Sequence, residues 1–520
     1  MAVRRHSPEL PAADPAAADP DRARLQQLGY KQELKRGLSV LSNFALSFSI
    51  ISVMMGVTTT YNTGLRYGGP ASMTLGWLVV SALNGCVALS MAEICSAYPT
   101  SGGLYYWSAK LAGKEWAPLA SWVTGWFNIV GQWAGTTSVD FSLAQLVQVI
   151  ILLGTGGLNG GGYMASKYVV LAIYGAILVI HGLMNSLPIQ YMAWFGHLGT
   201  FWNAAGIFVM VILIPAVAKE RASLEFIFTH FNTDNGMGIH SKAYILAVGL
   251  LMSQYSIIGY DASAHMTEET KKADWSGPTG LVTAVALSSA FGWIYLLALT
   301  SLVTDIPYLL DPGNDAGGYA VAQALYNAFH RRYGTGVGGV LCLGVIAVTT
   351  FLCGCGCITS NSRMGYAFSR DGAMPFSRVW YRVNRQEVPL NVVWLSVTVA
   401  FVMALTVFAR EPGGVPGDAV RGDRRELHRL RPAHLLPGDH CPEILHSGPV
   451  SPWKLWSSRR QGRRRLGGSS HRALLTAGGV PRRGGQLQLH ASRGRRSVVP
   501  QRRRVGAPCP VLVPRAHHQC

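Results

Sequence analysis

Residues 38–56 read Leu-Ser-Val-Leu-Ser-Asn-Phe-Ala-Leu-Ser-Phe-Ser-Ile-Ile-Ser-Val-Met-Met-Gly. The stretch is apolar enough to begin a membrane-spanning helix, yet Ser47, Ser49 and Ser52 lie beside Gly56 at mid-membrane depth. Glycine lacks the Cβ that penalises unusual backbone angles, and serine can hydrogen-bond the backbone groups that an unwound helix frees. We therefore predict a membrane helix that is interrupted near Ser52–Gly56.

Further apolar runs follow this one, and the composition places them in lipid. Only 14% of the 520 residues are charged, whereas soluble proteins carry about 25%. Backbone groups in hydrocarbon must satisfy one another, so the runs predict an all-α membrane protein with nine intact spans. The predicted spans are 39–64, 71–92, 117–151, 166–186, 190–217, 243–264, 277–303, 335–364 and 390–409.

The charges between the spans predict the orientation. With a cytoplasmic N-terminus, sixteen Lys and Arg fall in inner segments and seven in outer ones, as the positive-inside rule requires. Residues 1–38 are then a cytoplasmic N-terminal tail and residues 39–409 a transmembrane domain, followed by a basic tail over 410–520. Acidic residues among the first thirty positions argue against a transit peptide, which leaves the plasma membrane or an endomembrane as the location.

The sixth span carries a second candidate interruption, Tyr255-Ser-Ile-Ile-Gly-Tyr-Asp261. Interruptions in the first and sixth spans are expected of an inverted repeat of five plus five helices. The N-terminus of each half-helix would then present N–H groups and a positive dipole end to a bound carboxylate. Close helix packing through small residues is the alternative explanation for both segments.

Three motifs give the chain a family resemblance. Residues 93–107 read Glu-Ile-Cys-Ser-Ala-Tyr-Pro-Thr-Ser-Gly-Gly-Leu-Tyr-Tyr-Trp, residues 259–269 read Gly-Tyr-Asp-Ala-Ser-Ala-His-Met-Thr-Glu-Glu, and residues 360–375 read Ser-Asn-Ser-Arg-Met-Gly-Tyr-Ala-Phe-Ser-Arg-Asp-Gly-Ala-Met-Pro. From about Gly29 to Phe408 the chain resembles the amino acid–polyamine–organocation permeases. It is most similar to the amino-acid/choline branch, which contains plant bidirectional amino-acid transporters and fungal GABA permeases. The resemblance implies a LeuT-like inverted-repeat bundle that normally has twelve spans.

By the same resemblance, the two interruptions hold the substrate. Backbone N–H groups at the first would bind its carboxylate, carbonyl groups at the second its α-amino group, and Tyr260 would close over it. No catalytic residue, cofactor or metal site is expected, because the sequence has no nucleophile–base set, phosphate-binding loop or metal-ligand spacing. The implied substrate-binding residues are Ser49, Ser52, Val53, Met54, Met55, Gly56, Ile258, Gly259, Tyr260 and Asp261.

Four residues are candidates for carrying a coupling proton or ion: Asp261, His197, Asn203 and Asp140. A carboxylate inside the membrane is costly and usually functional, which favours Asp261, with a solvated or capping role at a helix end as the alternative. Asp140 is expected near the outer interface, and a satisfied core histidine is the alternative for His197. Glu268 and Glu269, beside two lysines, predict a solvated charged cluster.

Residues 410–520 differ chemically from the rest. They hold 22 of the 45 Lys and Arg but 6 of the 26 acidic residues, and no apolar run suits a tenth helix. One interpretation is a disordered tail that binds RNA or anionic lipid. The other, which we prefer, is a shifted reading frame. Codons chosen for Phe-Ile-Pro-Gly-Pro-Phe, a segment of such permeases, give Leu445-His-Ser-Gly-Pro-Val450 when read one nucleotide earlier.

Taken with the resemblance, these observations favour a secondary active transporter. It would move amino acids or related amines such as GABA across a membrane by alternating access. Its expected partners are the amino-acid substrate, a coupling proton or other ion gradient and the lipid bilayer, without nucleic acid; the oligomeric state stays open. Two alternatives are a permease-like amino-acid sensor and an inactive truncated product whose basic tail binds nucleic acid or lipid.

The frame interpretation makes a direct prediction. We expect the transcript across codons 400–450 to differ by one nucleotide from the sequence that encodes this chain. The corrected reading frame should restore an apolar tenth helix. Since that helix completes the second repeat, the 520-residue chain should fold poorly and not transport, whereas the restored chain should transport. Sequencing the transcript checks the frame, and measurable uptake by the 520-residue form in a permease-deficient cell would contradict the prediction.

Overall fold

The computed structural model describes residues 19–409, and within that range all regular structure is helical. Residues 1–18 and 410–520, including the predicted basic tail, lie outside the described residues. Two isolated bridge pairings, Leu38 with Thr270 and Gly68 with Asn232, do not extend into strands. The helices are α1 (Pro20–Gln27), α2 (Val40–Ile51), α3 (Val53–Arg66), α4 (Gly69–Ala97), α5 (Leu104–Leu111), α6 (Gly113–Gly154), α7 (Lys167–Asn185), α8 (Ile189–Val217), α9 (Leu224–Thr229), α10 (Lys242–Ser256), α11 (Ala262–His265), α12 (Ala273–Thr300), α13 (Ile306–Leu310), α14 (Ala320–Tyr333), α15 (Val337–Arg370), α16 (Ser377–Trp380) and α17 (Leu390–Ala409).

Seven helical stretches in the described range are long and apolar enough to cross a membrane, and they match seven of the nine predicted spans. In the other two the described apolar helix is shorter. The sixth span is interrupted after α10, which has 15 residues, and in the ninth span, α17, the apolar stretch is Leu390–Thr406. The seven stretches are Val40–Arg66, Gly69–Ala97, Gly113–Gly154, Lys167–Asn185, Ile189–Val217, Ala273–Thr300 and Val337–Arg370.

The outer surface of the helices carries many large apolar side chains, unlike the surface of a water-soluble protein. Leu83 on α4 is 63% exposed, and Phe201 and Phe208 on α8 are each 68% exposed. Asn43 and Asp140, in contrast, are fully buried between helices. Apolar side chains facing outward and polar ones facing inward suit a hydrocarbon surrounding. The chain is therefore an all-helical, multi-pass integral membrane protein.

Residues 19–38, the described part of the predicted N-terminal tail, pack against the ends of two membrane helices. The Asp21 carboxylate accepts the backbone N–H groups of Lys272 (2.7 Å) and Ala273 (3.1 Å), where α12 begins. The Arg24 guanidinium donates to the Ala97 carbonyl at 2.8 Å, where α4 ends. Each charge thus lies at the helix end whose dipole has the opposite sign.

Two ion pairs lie at the same end of the bundle, the first fully buried and the second with its arginine 12% exposed. Arg363 Nε donates to Glu269 Oε2 at 2.9 Å, and Arg370 Nη1 donates to Glu268 Oε2 at 2.8 Å. Glu268 is fully buried and Glu269 is 1% exposed, so the prediction of a solvated cluster is wrong. We call this end, formed by α1, α5, the 3₁₀ turn Thr267–Glu269 and the last turns of α15, the N-terminal face.

Asp371 joins three parts of the N-terminal face. The hydroxyl groups of Tyr30 and Tyr105 each donate to Asp371 Oδ2 at 2.8 Å. Burial raises the pKa of the Asp371 carboxyl above its ordinary value, and the Arg370 charge and the two hydroxyls oppose that rise. The Arg370 guanidinium also lies 4.1 Å from the centre of the Tyr30 ring. The N-terminal segment, α5 and α15 are therefore held together at one carboxylate.

The buried pair predicts a large stability effect. Glu269→Gln leaves the Arg363 charge buried without its partner, so we expect a loss of about 3–5 kcal/mol in the free energy of unfolding. Glu220→Gln is the matched control, because its ion pair with Arg331 is largely exposed and should change stability by about 1 kcal/mol or less. Unfolding in detergent measures both. Equal losses in the two variants would show that burial does not set the strength of the pair.

Candidate functional site

The first interruption lies at Ser52, between α2 and α3. Ser52 has φ 32° and ψ 70°, in the left-handed region, and its buried hydroxyl has no hydrogen-bond partner in the described chain. Its N–H still bonds the Phe48 carbonyl (3.2 Å), and its carbonyl accepts the Gly56 N–H (3.0 Å). The interruption is thus one residue wide. It leaves the first N–H groups of α3, at Val53 to Met55, without a side-chain cap.

The second interruption is wider. α10 ends at Ser256 and helical structure resumes at Ala262. Gly259 has φ 92°, a backbone angle that glycine adopts without a steric penalty. The Tyr260 hydroxyl donates to Asn84 Oδ1 on α4 at 3.3 Å, and Ile258 is 39% exposed. Residues 257–261 therefore carry peptide groups that belong to neither helix.

The structure brings the two interrupted helices together. A Cβ added to Gly56 would lie 2.7 Å from the Cα of Ser256, so α3 and α10 touch backbone to backbone. Closer to the N-terminal face, the hydroxyl oxygens of Ser47 and Ser263 are 2.6 Å apart. The predicted binding segments are thus neighbours in space, although about two hundred residues separate them in sequence.

The side chains around Ser52 face other helices. A Cβ on Gly199 would lie 2.2 Å from Ser49 Oγ, and a Cβ on Gly206 would lie 2.7 Å from Met54 Cε. The Ser49 and Met54 side chains therefore pack directly against these two glycines of α8. Val53 is fully buried in the largest apolar cluster. At this interruption the polar groups left over are the Ser52 hydroxyl and the uncapped N–H groups that begin α3.

Asp261 belongs to a polar cluster between α11 and α6. Its Oδ2 lies 3.4 Å from His265 Nε2 and 3.5 Å from Gln132 Nε2. His265 is fully buried, with Nδ1 2.9 Å from the Ser101 carbonyl oxygen, and Asn128 Nδ2 lies 3.4 Å from Nε2. The Asp261 side chain is 24% exposed and makes no capping hydrogen bond to α11. The hydrogen bond that a helix-capping role of Asp261 would require is therefore not formed.

The other three coupling candidates lie elsewhere. Asp140 on α6 is fully buried, with Oδ1 3.2 Å from Nδ1 of the equally buried His181 on α7. His197 on α8 has Nε2 3.0 Å from the Ser42 hydroxyl. Asn203, also on α8, is 1% exposed, and its side-chain oxygen and nitrogen have no hydrogen-bond partner in the described chain. The four candidates therefore occupy separate places rather than one site.

Sequence reasoning missed two histidines. His265 follows Asp261 by four residues, a spacing that puts both on one helix face, so the motif itself contained the signal. His181 has no acidic neighbour in sequence, and only the packing of α6 against α7 brings it to Asp140. A cavity of about 270 Å³, lined by Lys219, Asp305 and other residues between α8, α13 and α14, contains none of the predicted site residues.

Comparison with known proteins decides the family. The family model described as amino acid permease matches residues 38–420. The chain belongs to this family. The permease is 65% identical over 400 residues to the amino-acid permease BAT1 homolog of Oryza sativa subsp. japonica (76% of this chain, 77% of the relative). It is 63% identical over 388 residues to the amino-acid permease BAT1 of Arabidopsis thaliana (75% of each). The GABA-specific permease of Saccharomyces cerevisiae is 28% identical over 457 residues (86% and 77%).

Membership in the family makes this permease an amino acid transporter rather than an enzyme. The three motifs that suggested the resemblance converge on the N-terminal face. Ser101 of the first motif donates its N–H to Glu268 of the second at 3.0 Å, and Arg370 of the third pairs with the same carboxylate. Residues of the three motifs thus contact one another and join the helix ends at the N-terminal face.

The contact between the interrupted helices gives a second stability prediction. Gly56→Ala would place a methyl group on the Ser256 backbone, so we expect about 1–3 kcal/mol of destabilisation from overpacking. Gly135→Ala on α6 is the control. It has open space around it, and the better helix propensity of alanine should leave stability unchanged or raise it by up to about 1 kcal/mol. Unfolding in detergent distinguishes them, and a Gly56→Ala variant as stable as the native chain would contradict the close packing.

Proposed function

We propose that this permease moves amino acids, or related amines such as GABA, across a membrane by alternating access. The substrate would lie between the interruption at Ser52 and the one at residues 257–261. The observation that carries the proposal is the direct contact of the two interrupted helices at Gly56 and Ser256. The plasma membrane and an endomembrane are both compatible locations.

A LeuT-like inverted repeat with nine spans, of an expected twelve, fits the helix contacts. In a five-plus-five repeat, α2 and α3 correspond to α10 and α11, α4 to α12, α6 to α15, and α7 to α17. Each of these pairs is in contact. A counterpart of α8 would have to follow α17, in residues 410–520, which lie outside the described range.

The chemistry of the two interruptions suits an amino acid zwitterion. The N-terminal turn of α3 combines uncapped N–H groups with the positive end of a helix dipole, which favours a carboxylate. The unwound residues 257–261 and the carboxylate of Asp261 provide oxygen atoms for an ammonium group. Tyr260, bonded to Asn84, would cover the substrate from the side of α4.

Alternating access requires that the two ends of the bundle open in turn. The predicted orientation makes the N-terminal face cytoplasmic, and the pairs Arg363–Glu269 and Arg370–Glu268 hold it closed. A gradient of protons or another ion would drive the cycle. The candidates for its site are Asp261, Asp140, His197 and Asn203.

Counterflow in proteoliposomes tests this function. Vesicles are loaded with an unlabelled amino acid or GABA, and entry of the labelled compound is followed for the 520-residue chain and for the frame-restored chain. We expect exchange by the restored chain. We also expect Asp261→Asn to abolish it, because the ammonium group loses its carboxylate, while Asp274→Asn, an exposed position at the start of α12, leaves it unchanged.

The same experiment distinguishes the alternatives. Binding of the labelled compound without exchange would indicate a sensor and refute transport. Exchange that persists in the Asp261→Asn variant would support transport but would show that Asp261 is not needed in the substrate site. Thermal unfolding of the Asp261→Asn protein is measured with and without substrate beside the exchange assay. The unfolding transition itself reports folding, and its shift on adding substrate reports binding.

A further inference from the structure

Asp140 and His181 form an ionisable pair that is buried between α6 and α7. Both side chains are fully buried, and Asp140 Oδ1 lies 3.2 Å from His181 Nδ1. The carboxylate oxygens and both ring nitrogens make no well-aligned hydrogen bond in the described chain. Asp140 lies 14 residues before the end of α6 and His181 lies 14 residues after the start of α7. At 1.5 Å per residue, Asp140 is therefore about 21 Å from the end of α6, and His181 is about 21 Å from the start of α7 and about 6 Å from its end.

Within residues 19–409, no Lys or Arg forms an ion pair with Asp140, and its ionisable partner there is His181. The titratable groups that the Asp140 charge influences include Tyr174 on α7 and Cys353 and Cys355 on α15. None of these is positively charged at neutral pH. α17 packs against both α6 and α7, and its sequence contains no ionisable residue.

This arrangement ties the charge of the pair to one proton. With a single proton shared between imidazole and carboxyl groups, the pair is neutral overall. Without it, an uncompensated carboxylate would be buried between the helices, which costs several kcal/mol. Because both groups are buried, the proton can leave only when the packing around the pair opens to water. Loading and unloading are therefore linked to a change in conformation.

The pair also contacts the helix that borders the substrate region. A Cβ on Gly354 of α15 would lie 2.0 Å from Asp140 Oδ1, so the pair rests directly on that helix. The preceding residue, Cys353, donates its thiol to the Ile50 carbonyl at 3.1 Å, two residues before the interruption at Ser52. The Ile50 side chain in turn lies 3.0 Å from where a Cβ of Gly259 would be.

We propose that Asp140 and His181 together form the binding site for the proton that drives this permease. The proposal rests on the proposed transport function and specifies its coupling ion and the residues that carry it. The proton binds the pair while it is open to one side of the membrane, and α15 transmits its presence to the interruption at Ser52. The site is distinct from the substrate region at Asp261.

A direct test measures the proton itself. Infrared spectra of the purified frame-restored chain are recorded across a pH series, because a protonated carboxyl group has a carbonyl band that a carboxylate lacks. We expect a titrating band that Asp140→Asn removes and His181→Gln shifts. Glu93→Gln, which alters an exposed carboxylate on α4, should leave that band in place. A spectrum in which Asp140→Asn removes no titrating band would overturn the proposal.

A transport test examines the coupling. In proteoliposomes of the restored chain, uptake driven by a pH gradient should be lost in Asp140→Asn and His181→Gln, while gradient-free exchange is retained. Gradient-driven uptake that persists in both variants, or is lost only in His197→Gln, would overturn the proposal. Equal loss of exchange and gradient-driven uptake, without a titrating band, would indicate a structural ion pair and also overturn it. If no chain exchanges substrate but the band is present, the transport function fails and the proton site stands.

Discussion

The buried pairing of Arg363 with Glu269 and Arg370 with Glu268 is the constraint on which the arrangement of the N-terminal face depends. A charge removed from water must find its partner at short distance, so the two glutamates can occupy only one position relative to α15. The arginines are seven residues apart and therefore share one face of that helix. Because the glutamates follow α11 directly, the pairs also fix the short helix that begins after Asp261.

The two interruptions obtain similar chemistry by different means. The first interruption places a non-glycine residue, Ser52, at positive φ. This conformation costs on the order of 1–3 kcal/mol and persists only in tightly packed surroundings. The second interruption uses Gly259, which has no such cost, and extends over residues 257–261. Both leave peptide groups inside the bundle that the regular helices do not use. The tight side-chain packing around Ser52 therefore supports the strained backbone there.

Much of the architecture was predictable from the sequence, because apolar length and small-residue patterns are local signals. The interruption near Ser52 and the helical class follow from residues within one span. Glu268 and Glu269 were misjudged because their arginine partners lie about a hundred residues away, and the lysines beside them suggested water. His181 shows the same limitation. A buried pair is created by the packing of two helices, and neither helix alone reveals it.

The short helix α1 has a consequence for how the bundle can move. Asp21 binds the beginning of α12, and Arg24 binds the end of α4, so eight residues tie together two neighbouring spans of opposite direction. Any opening of the N-terminal face must either move α4 and α12 as one rigid body or release α1 from one of them. A segment outside the membrane thus determines which spans travel together, and charge changes near Asp21 would alter the mechanics of the cycle without touching the substrate.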